Sequence, residues 1–148
     1  MFKKYLNSKI SSFLSVCVLF SLTILNAQNP SLEWVVDIGG THYCEGKSVV
    51  VDDSGYVYHT GTFFGTADFD PGSGSLNLTS SGSYDIYIQK LDPSGNLLWT
   101  KQIGGSGDDQ ATSICLDDFG NIYTTGFFSD TVDFNPDSGI VNLSSNGG

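Results

Sequence analysis

Apolar and polar residues alternate in several short segments after residue 34. In the segment 85–91, Ile86 and Ile88 alternate with Tyr87 and Gln89. Such a two-residue period is typical of a half-buried β-strand. The same pattern, with many β-branched and aromatic residues, predicts four strands at 48–51, 56–64, 85–91 and 97–103. No segment has helical periodicity or helix caps, so the fold class predicted is all-β.

Polar turns separate these strands. The segments 52–55 and 92–96 combine aspartates with a glycine, Gly55 or Gly95. An aspartate side chain bonds its own backbone in such turns, and glycine permits a positive φ. A Gly/Ser-rich insertion, residues 65–84, separates the second and third strands and predicts a rim loop or a small extra hairpin.

The strand pattern repeats. A shift of 65 residues places Trp34 on Trp99 and Asp52 on Asp117, and 22 of the 50 aligned positions are identical. Four hairpin-linked strands repeated at a fixed period are the pattern of a β-propeller blade with a four-stranded antiparallel sheet. A β-sandwich need not repeat in sequence, and a β-helix has shorter repeats.

Residues 85–105 and 104–128 resemble the bacterial seven-bladed β-propeller repeat family, SBBP. The shared motifs are a strand ending Asp-Asp-x-Gly, an aromatic strand ending Thr-Gly and a Trp strand ending Gly-Gly. The resemblance implies an exported protein without assigned chemistry, and it makes 48–51 the inner strand of a blade and 97–103 the outermost. By the same logic, Trp34–Ile38 is a ring-closing strand.

Residues 34–103 then comprise this closing strand and one full blade, and 111–148 form part of a second blade. Fewer than two blades are present, whereas a closed propeller needs about four to eight. We therefore expect an N-terminal fragment. Its partners would be the remaining blades of the same chain, with a possible C-terminal anchoring domain, or further copies through self-association.

The first 27 residues have the features of a secretory signal peptide. Lysines precede an apolar run at 13–25, and Ala27 ends a plausible cleavage site. The run is shorter than the roughly 20 residues of a membrane-spanning helix, and no later stretch is apolar enough to span. We expect a secreted or cell-surface protein whose propeller region is 28–148.

The charge of that region restricts its partners. Residues 28–148 contain three lysines, no arginine and all 16 acidic residues, a net charge of −13. Nucleic acids and anionic membranes attract basic surfaces, so neither is an expected partner. The cysteines Cys44 and Cys115 occupy non-equivalent repeat positions, which does not indicate a disulfide framework.

Two acidic loops permit two interpretations. Asp133, Asn135 and Asp137 place oxygen ligands at alternate positions before a glycine, as calcium loops do, and Asp68 and Asp70 begin the first copy. A hard cation needs about six to eight oxygens, and fewer are visible here. The other interpretation is a turn that buries the phenylalanine after its first aspartate. Apart from calcium, we expect no cofactor.

Catalytic residues are not predicted. His42 and Cys44 could form a nucleophile and base, but neither recurs in the second repeat, and a loop role is the alternative. Glu45, Asp108 and Asp109 could line a mouth of the propeller or form a solvated acidic rim.

Two functions follow from these features. The preferred one is an exported, non-catalytic scaffold or binding module for a protein or glycan ligand, acting in adhesion or recognition. The alternative is the N-terminal part of a secreted propeller enzyme that acts on polysaccharide with catalytic residues in other blades. A propeller fold hosts both.

Overall fold

A computed structural model describes residues 32–40 and 42–146. The predicted signal peptide, 1–27, lies outside these residues. The described residues form strands, turns and irregular segments, and no helix among them is long and apolar enough to cross a membrane. The strands are β1 (Gly39–Gly40), β2 (Cys44–Val51), β3 (Val57–Asp68), β4 (Asn77–Leu91), β5 (Leu97–Ile103), β6 (Gln110–Leu116), β7 (Ile122–Phe127), β8 (Thr131–Asp133) and β9 (Asn142–Ser144).

The first repeat, β2 to β5, is a four-stranded antiparallel meander. Strand β2 pairs with β3, β3 with β4, and β4 with β5. This arrangement confirms the predicted blade, and β5 has the predicted bounds. The short strand β1 adds to the far end of β3, where Gly40 lies opposite Ala67.

The insertion between the second and third strands is an extension of the blade itself. Strands β3 and β4 continue past an irregularity between Phe64 and Thr66, and pair again from Thr66 to Asp68. Gly65 has a φ of 75° there, which suits glycine. The predicted extra hairpin therefore forms as the outer part of two long strands.

The second repeat, β6 to β9, reproduces the inner part of this arrangement. Strand β6 pairs with β7 as β2 pairs with β3, and β8 pairs with β9 as the extension of the first repeat does. Asp133 lies opposite Asn142, which matches Asp68 opposite Asn77. An incomplete all-β propeller arrangement is therefore confirmed.

The connecting turns use one local design. In the turn after β4, Asp92 accepts hydrogen bonds from the backbone N–H groups of Ser94 (2.8 Å) and Asn96 (2.9 Å). Gly95 follows with a φ of 84°. Asp117 and Gly120 repeat this geometry after β6, at 2.9 Å and 2.8 Å and a φ of 80°. The sequence prediction of aspartate–glycine turns is confirmed.

The predicted closing strand at Trp34–Ile38 is not a strand in this structure. None of the described strands pairs with residues 34–38. A strand needs a neighbouring edge to pair its backbone groups, so the residues remain irregular without one. Trp34 is nevertheless held in place, because its Nε1–H donates to the Pro93 carbonyl at 3.0 Å.

The core lies where the extension folds back on the blade. Phe63, Phe69 and Tyr87 are buried together, and Ile38 packs against them. The rings of Phe63 and Phe69 meet edge to face with centroids 5.1 Å apart. Phe128 and Phe134 repeat this contact at 5.1 Å. Each repeat thus builds the same aromatic pair, which is worth about 0.5–1.5 kcal/mol beyond its buried area.

Each repeat has two faces because side chains alternate across strands. We call one the tyrosine face, with Tyr58, Thr60 and Thr62 in the first repeat and Tyr123, Thr125 and Phe127 in the second. The other is the aliphatic face, with Val49, Val51 and Val57 in the first repeat and Ile114, Leu116 and Ile122 in the second.

The repeats pack with unlike faces together. Strand β6 lies against β2, β3 and β4 of the first repeat. Its Ile114, on the aliphatic face, is buried, as is Tyr58 on the opposing tyrosine face. Ile86 and Ile88 of the first repeat line one groove with Ile122 of the second. The tyrosine face of the first repeat is therefore covered by the aliphatic face of the second.

The turn glycines provide a test of this fold. We expect Gly120→Ala to destabilise the chain by about 1–2 kcal/mol, because a Cβ disfavours its left-handed backbone and meets no other atom within 4 Å. Gly95→Ala should cost more, because a Cβ there would lie 3.0 Å from the Trp34 ring. Urea unfolding measures both. Equal losses would show that Trp34 does not rest on this turn.

Candidate functional site

The first acidic loop uses its carboxylates to hold its own backbone. Asp68 Oδ1 accepts hydrogen bonds from the N–H groups of Asp70 (3.0 Å) and Leu76 (2.8 Å). Asp70 Oδ1 accepts from Gly72 N–H at 2.8 Å. These backbone donors hold the pKa of Asp68 below its usual value. The loop buries Phe69 completely.

The second acidic loop has the same geometry. Asp133 Oδ1 accepts from the N–H groups of Val141 (2.8 Å) and Asn135 (3.0 Å), and these donors lower its pKa. Asn135 Oδ1 accepts from Asp137 N–H at 3.1 Å. Asp137 forms an ion pair with Lys101 of the first repeat. The loop is therefore tied both to itself and to the neighbouring blade.

This geometry agrees with the turn interpretation of both loops. The oxygens proposed as ligands, including those of Asp68, Asp70 and Asn135, already accept hydrogen bonds from the protein. Within residues 32–40 and 42–146, no three His, Cys, Asp or Glu side chains are grouped to hold a metal ion. Calcium binding by Asp133, Asn135 and Asp137, or by Asp68 and Asp70, stays a prediction.

Asp109 is buried, so a solvated rim position is wrong for this residue. Its Oδ2 accepts from Gly105 N–H (2.7 Å) and its Oδ1 from Ser129 N–H (3.1 Å). Its own N–H donates to the Tyr84 carbonyl at 2.8 Å. Asp109 thus links the first blade to the loops of the second. Asp108, in contrast, is exposed.

Asp85 is a second buried carboxylate near this junction. One oxygen accepts from Ser81 N–H (3.0 Å) and Gln102 Nε2 (2.6 Å), and the other has no hydrogen-bond partner. A Cβ at Gly104 would overlap the carboxylate. Burial raises the pKa of Asp85, and the negative charge of Asp109 raises it further. The hydrogen bonds from Gln102 and Ser81 lower this pKa, but the net shift is upward.

Cys44 lies in strand β2, opposite Phe63, and not in the loop that the sequence suggested. Burial raises the pKa of its thiol, which disfavours the thiolate that a nucleophile requires. Cys44 and Cys115 are both free, so no disulfide joins them. His42 packs edge to face on Phe64, with ring centroids 5.5 Å apart.

An aromatic cluster at one edge of the first blade was missed by sequence reasoning. Phe64 and Tyr84 rings lie 5.7 Å apart, and Tyr84 and Tyr43 rings 5.4 Å apart. With His42 these rings form what we call the aromatic rim. Tyr43, Phe64 and His42 are exposed. Its members come from three separate segments, so their proximity is not visible in the sequence.

Charged groups border the aromatic rim. The Tyr43 hydroxyl donates to Glu45, and Lys47 pairs with the same carboxylate at 2.8 Å. The hydrogen bond from Lys47, followed by that from Tyr43, lowers the pKa of Glu45. The rim thus combines exposed rings with a hydrogen-bonding carboxylate and an ammonium group. The sequence contains one indication of the rim. At the positions of His42, Tyr43 and Phe64, the second repeat has Gly107, Asp108 and Ser129, so these three rings are not part of the repeat pattern.

The two interpretations of the acidic loops can be separated. If Asp133 is a turn residue, Asp133→Asn keeps an acceptor oxygen and should lower Tm less than Asp133→Ala does. In that case neither calcium nor a chelator should shift the Tm of the wild-type chain. Differential scanning fluorimetry with and without calcium measures this. A calcium-dependent rise in Tm that both variants abolish would support the ion interpretation.

Asp85 predicts a pH dependence of stability. Because its folded pKa is raised, its contribution to stability is full below the unfolded pKa of about 3.9 and is lost as pH rises through the folded pKa. Asp85→Asn should therefore gain stability relative to wild type as pH increases. Urea unfolding of both proteins across mildly acidic to neutral pH tests this. A difference in unfolding free energy between the two proteins that does not change with pH would contradict a raised pKa of the buried Asp85.

Comparison with known proteins agrees with this architecture. Residues 98–126 match the family model described as SBBP, beta-propeller repeat. A WD repeat-containing protein of Acanthamoeba polyphaga mimivirus is 29% identical over 131 residues, which cover 74% of this chain and 9% of that protein. The regulatory protein FlaEY of Caulobacter vibrioides is 28% identical over 89 residues, 60% of this chain and 9% of its own length.

The chain thus spans 9% of the length of these two relatives. No solved structure matches it. The matched segment 98–126 runs from the second residue of β5, through the junction around Asp109, to the last residue but one of β7. It lies within the residues that carried the resemblance in the sequence. The resemblance to the SBBP beta-propeller repeat is therefore confirmed at residues 98–126.

Proposed function

We propose that this protein is an exported, non-catalytic propeller module that binds a glycan ligand at the aromatic rim. The observation that carries the proposal is the rim itself. Its exposed rings, Tyr43 and Phe64, lie outside the aromatic core that both repeats share. Side chains that the repeat does not require for packing are available for recognition.

The rim has the chemistry for a sugar. Aromatic rings offer flat apolar surfaces that can pack on the C–H face of a pyranose. Glu45 can accept hydrogen bonds from hydroxyl groups, and Lys47 can donate to them. A protein ligand is the alternative, since exposed aromatic rings also serve protein interfaces. The combination of rings with a bordering ion pair favours the glycan.

A non-catalytic role rests on the chemistry of the candidate nucleophile. Cys44 is half-buried, with a raised thiol pKa. His59, the other described histidine, is hydrogen-bonded to Gln89 Oε1 at 2.6 Å, and burial lowers its pKa. These side chains pack the first blade. The described contacts offer no specific support for the alternative of a polysaccharide-cleaving enzyme.

Export is supported by the sequence of residues 1–27 and by the acidity of the remaining chain. A region with a net charge of −13 and no arginine is soluble and has little attraction for nucleic acid. A glycan at a cell surface or in the extracellular space is accessible to such a module. Adhesion or recognition at the surface is therefore the role that we propose.

Export and glycan binding can both be tested with the full chain, expressed with its N-terminus intact in a bacterial host. We expect mass spectrometry of the exported product to give Gln28 as its first residue. A glycan array with that product should then identify a ligand. Tyr43→Ala with Phe64→Ala should weaken binding by about tenfold, since each aromatic contact contributes about 0.5–1.5 kcal/mol.

Phe119→Ala is the matched control, because Phe119 is 91% exposed in a turn away from the rim. This variant should bind as wild type does. Retention of the first 27 residues in the cytoplasm would contradict export. Glycan binding that survives the double variant would contradict the site, and binding of protein ligands alone would contradict the ligand class.

A further inference from the structure

Two buried carboxyl groups lie at the junction between the repeats. Asp85 belongs to strand β4 of the first repeat, and Asp109 immediately precedes β6 of the second. Both residues are 0% exposed, and the charge of Asp109 acts on the titration of Asp85. Because nearby carboxylates repel each other, ionisation of one makes ionisation of the other more costly. The hydrogen bonds around each group show which of the two is arranged to hold a charge.

Asp109 has the surroundings of an ionised carboxylate. Its Oδ2 accepts a hydrogen bond from Gly105 N–H at 2.7 Å, and its Oδ1 accepts one from Ser129 N–H at 3.1 Å. Each oxygen therefore has a backbone donor. Hydrogen bonds donated to both oxygens of a carboxyl group favour its charged form, so the negative charge at this junction belongs on Asp109.

Asp85 has the surroundings of a neutral acid. Its Oδ2 accepts from Ser81 N–H at 3.0 Å and from Gln102 Nε2 at 2.6 Å, whereas its buried Oδ1 has no hydrogen-bond partner among the described residues. In a protonated carboxyl group, one oxygen accepts hydrogen bonds and the other carries the proton. Phe63 lies opposite on β3, and the carboxyl group packs against Gly104. These neighbours offer no positive charge, so ionisation would leave Oδ1 as a buried charge without a donor.

The segment 107–109 is bonded to β4 directly beside Asp85. Asp109 N–H donates to the Tyr84 carbonyl at 2.8 Å, and Ser83 N–H donates to the Gly107 carbonyl at 3.3 Å. These two bonds hold the start of the second repeat against the first. They bring the Asp109 charge next to the strand that carries Asp85, so a second charge on Asp85 acts on this contact first.

Tyr84 connects the junction to the aromatic rim. Its carbonyl accepts the hydrogen bond at the junction, and its ring contacts both Tyr43 and Phe64, with centroids 5.4 Å and 5.7 Å away. The rings of the rim therefore depend on the position of a residue that the junction holds. Asp85 is the next residue along the same strand.

We propose that a proton on Asp85 is a switch that controls the aromatic rim. While Asp85 is neutral, the segment 107–109 stays bonded to β4, and Tyr84 stays in the rim. Ionisation of Asp85 places a second negative charge beside Asp109, and the junction opens locally so that water reaches the carboxylate. Its role in recognition rests on the proposed glycan site. There, opening of the junction weakens glycan binding in proportion to the loss of molecules with an ordered rim.

The direction of the switch follows from the pKa of Asp85. Burial raises this pKa, and the hydrogen bonds from Gln102 and Ser81 oppose the shift without cancelling it, while Asp109 adds to it. Because the folded pKa lies above the unfolded value of about 3.9, the closed junction is favoured in acid and is lost as pH rises through the folded pKa. Above that pH, the ratio of closed to open molecules falls by at most about tenfold per pH unit, since one proton is released.

Hydrogen exchange in the full chain tests the switch without a glycan. NMR follows the Asp109 N–H at the junction and the Phe64 N–H, which donates to the Tyr43 carbonyl in the rim at 2.8 Å. Protection is the exchange rate relative to that of an unfolded chain at the same pH. In wild type, the protection of both groups should fall as pH rises, by up to about tenfold per pH unit. In Asp85→Asn, which stays neutral, it should remain constant.

Asp108→Asn is the matched control, because it makes the same substitution at an exposed residue beside Asp109. This variant should show the pH dependence of wild type. The Asp92 N–H, which donates to the Asn96 carbonyl at 2.9 Å in the turn after β4, reports whether each protein is folded. Its protection should remain constant with pH in all three proteins.

The possible results separate this switch from the proposed function. Protection at Asp109 that changes with pH equally in wild type and Asp85→Asn would overturn the switch. A pH-dependent Asp109 beside a constant Phe64 would overturn the link between the junction and the rim. Failure of the chain to bind any glycan on the array would contradict the proposed function, whereas loss of protection at Asp109 and Phe64 in wild type alone would still establish the switch.

Discussion

Burial of the tyrosine face by strand β6 is the contact on which the rest of this structure depends. The first repeat pairs its four strands with one another, but a single sheet cannot bury both of its faces. Tyr58, Thr60 and Thr62 are buried, and strand β6, whose Ile114 is also buried, contacts the strand β3 that carries them. Trp99 and Lys90 of the same repeat also pack on Tyr58. Repeat proteins generally gain stability in this way, from the interface between neighbouring units.

Acidic residues have mostly structural roles in this chain. Asp92 and Asp117 each organise a turn by accepting several hydrogen bonds. These bonds lower the pKa of both carboxyls, and the largest contributions come from the side chains of Asn96 and Asn121. Asp68 and Asp133 do the same in the longer loops, which bury Phe69 and partly bury Phe134. The high negative charge therefore does not by itself indicate a cation site, because aspartates at these positions hold backbone amides that would otherwise lack partners.

Positions at which the two repeats agree and positions at which they differ have different roles in this protein. Where the repeats agree, as in the two phenylalanine pairs, the residues serve the fold. Where they differ, as at Tyr43 and Phe64 against Asp108 and Ser129, the fold does not require the side chain. The glycan proposal rests on such a departure.

The junction around Asp109 shows how one repeat position can acquire two roles. Its equivalent in the first repeat is Cys44, a half-buried thiol in a strand. In the second repeat the buried carboxylate of Asp109 receives backbone N–H groups from Gly105 and Ser129, and it lies close enough to Asp85 to affect its pKa. The first repeat has no preceding blade at this junction in the described residues, so the position there has no such donors to satisfy.

Local interactions made much of the fold predictable from the sequence. The strand 97–103, the aspartate–glycine turns and the 65-residue repeat depend on side-chain alternation and on bonds between near neighbours, which the chain order encodes directly. Tertiary structure alone decided that Asp109 is buried, that 34–38 is not a strand, and that the rings of the aromatic rim lie together. These features depend on atoms far apart in sequence, whose contacts exist only after the sheets have packed.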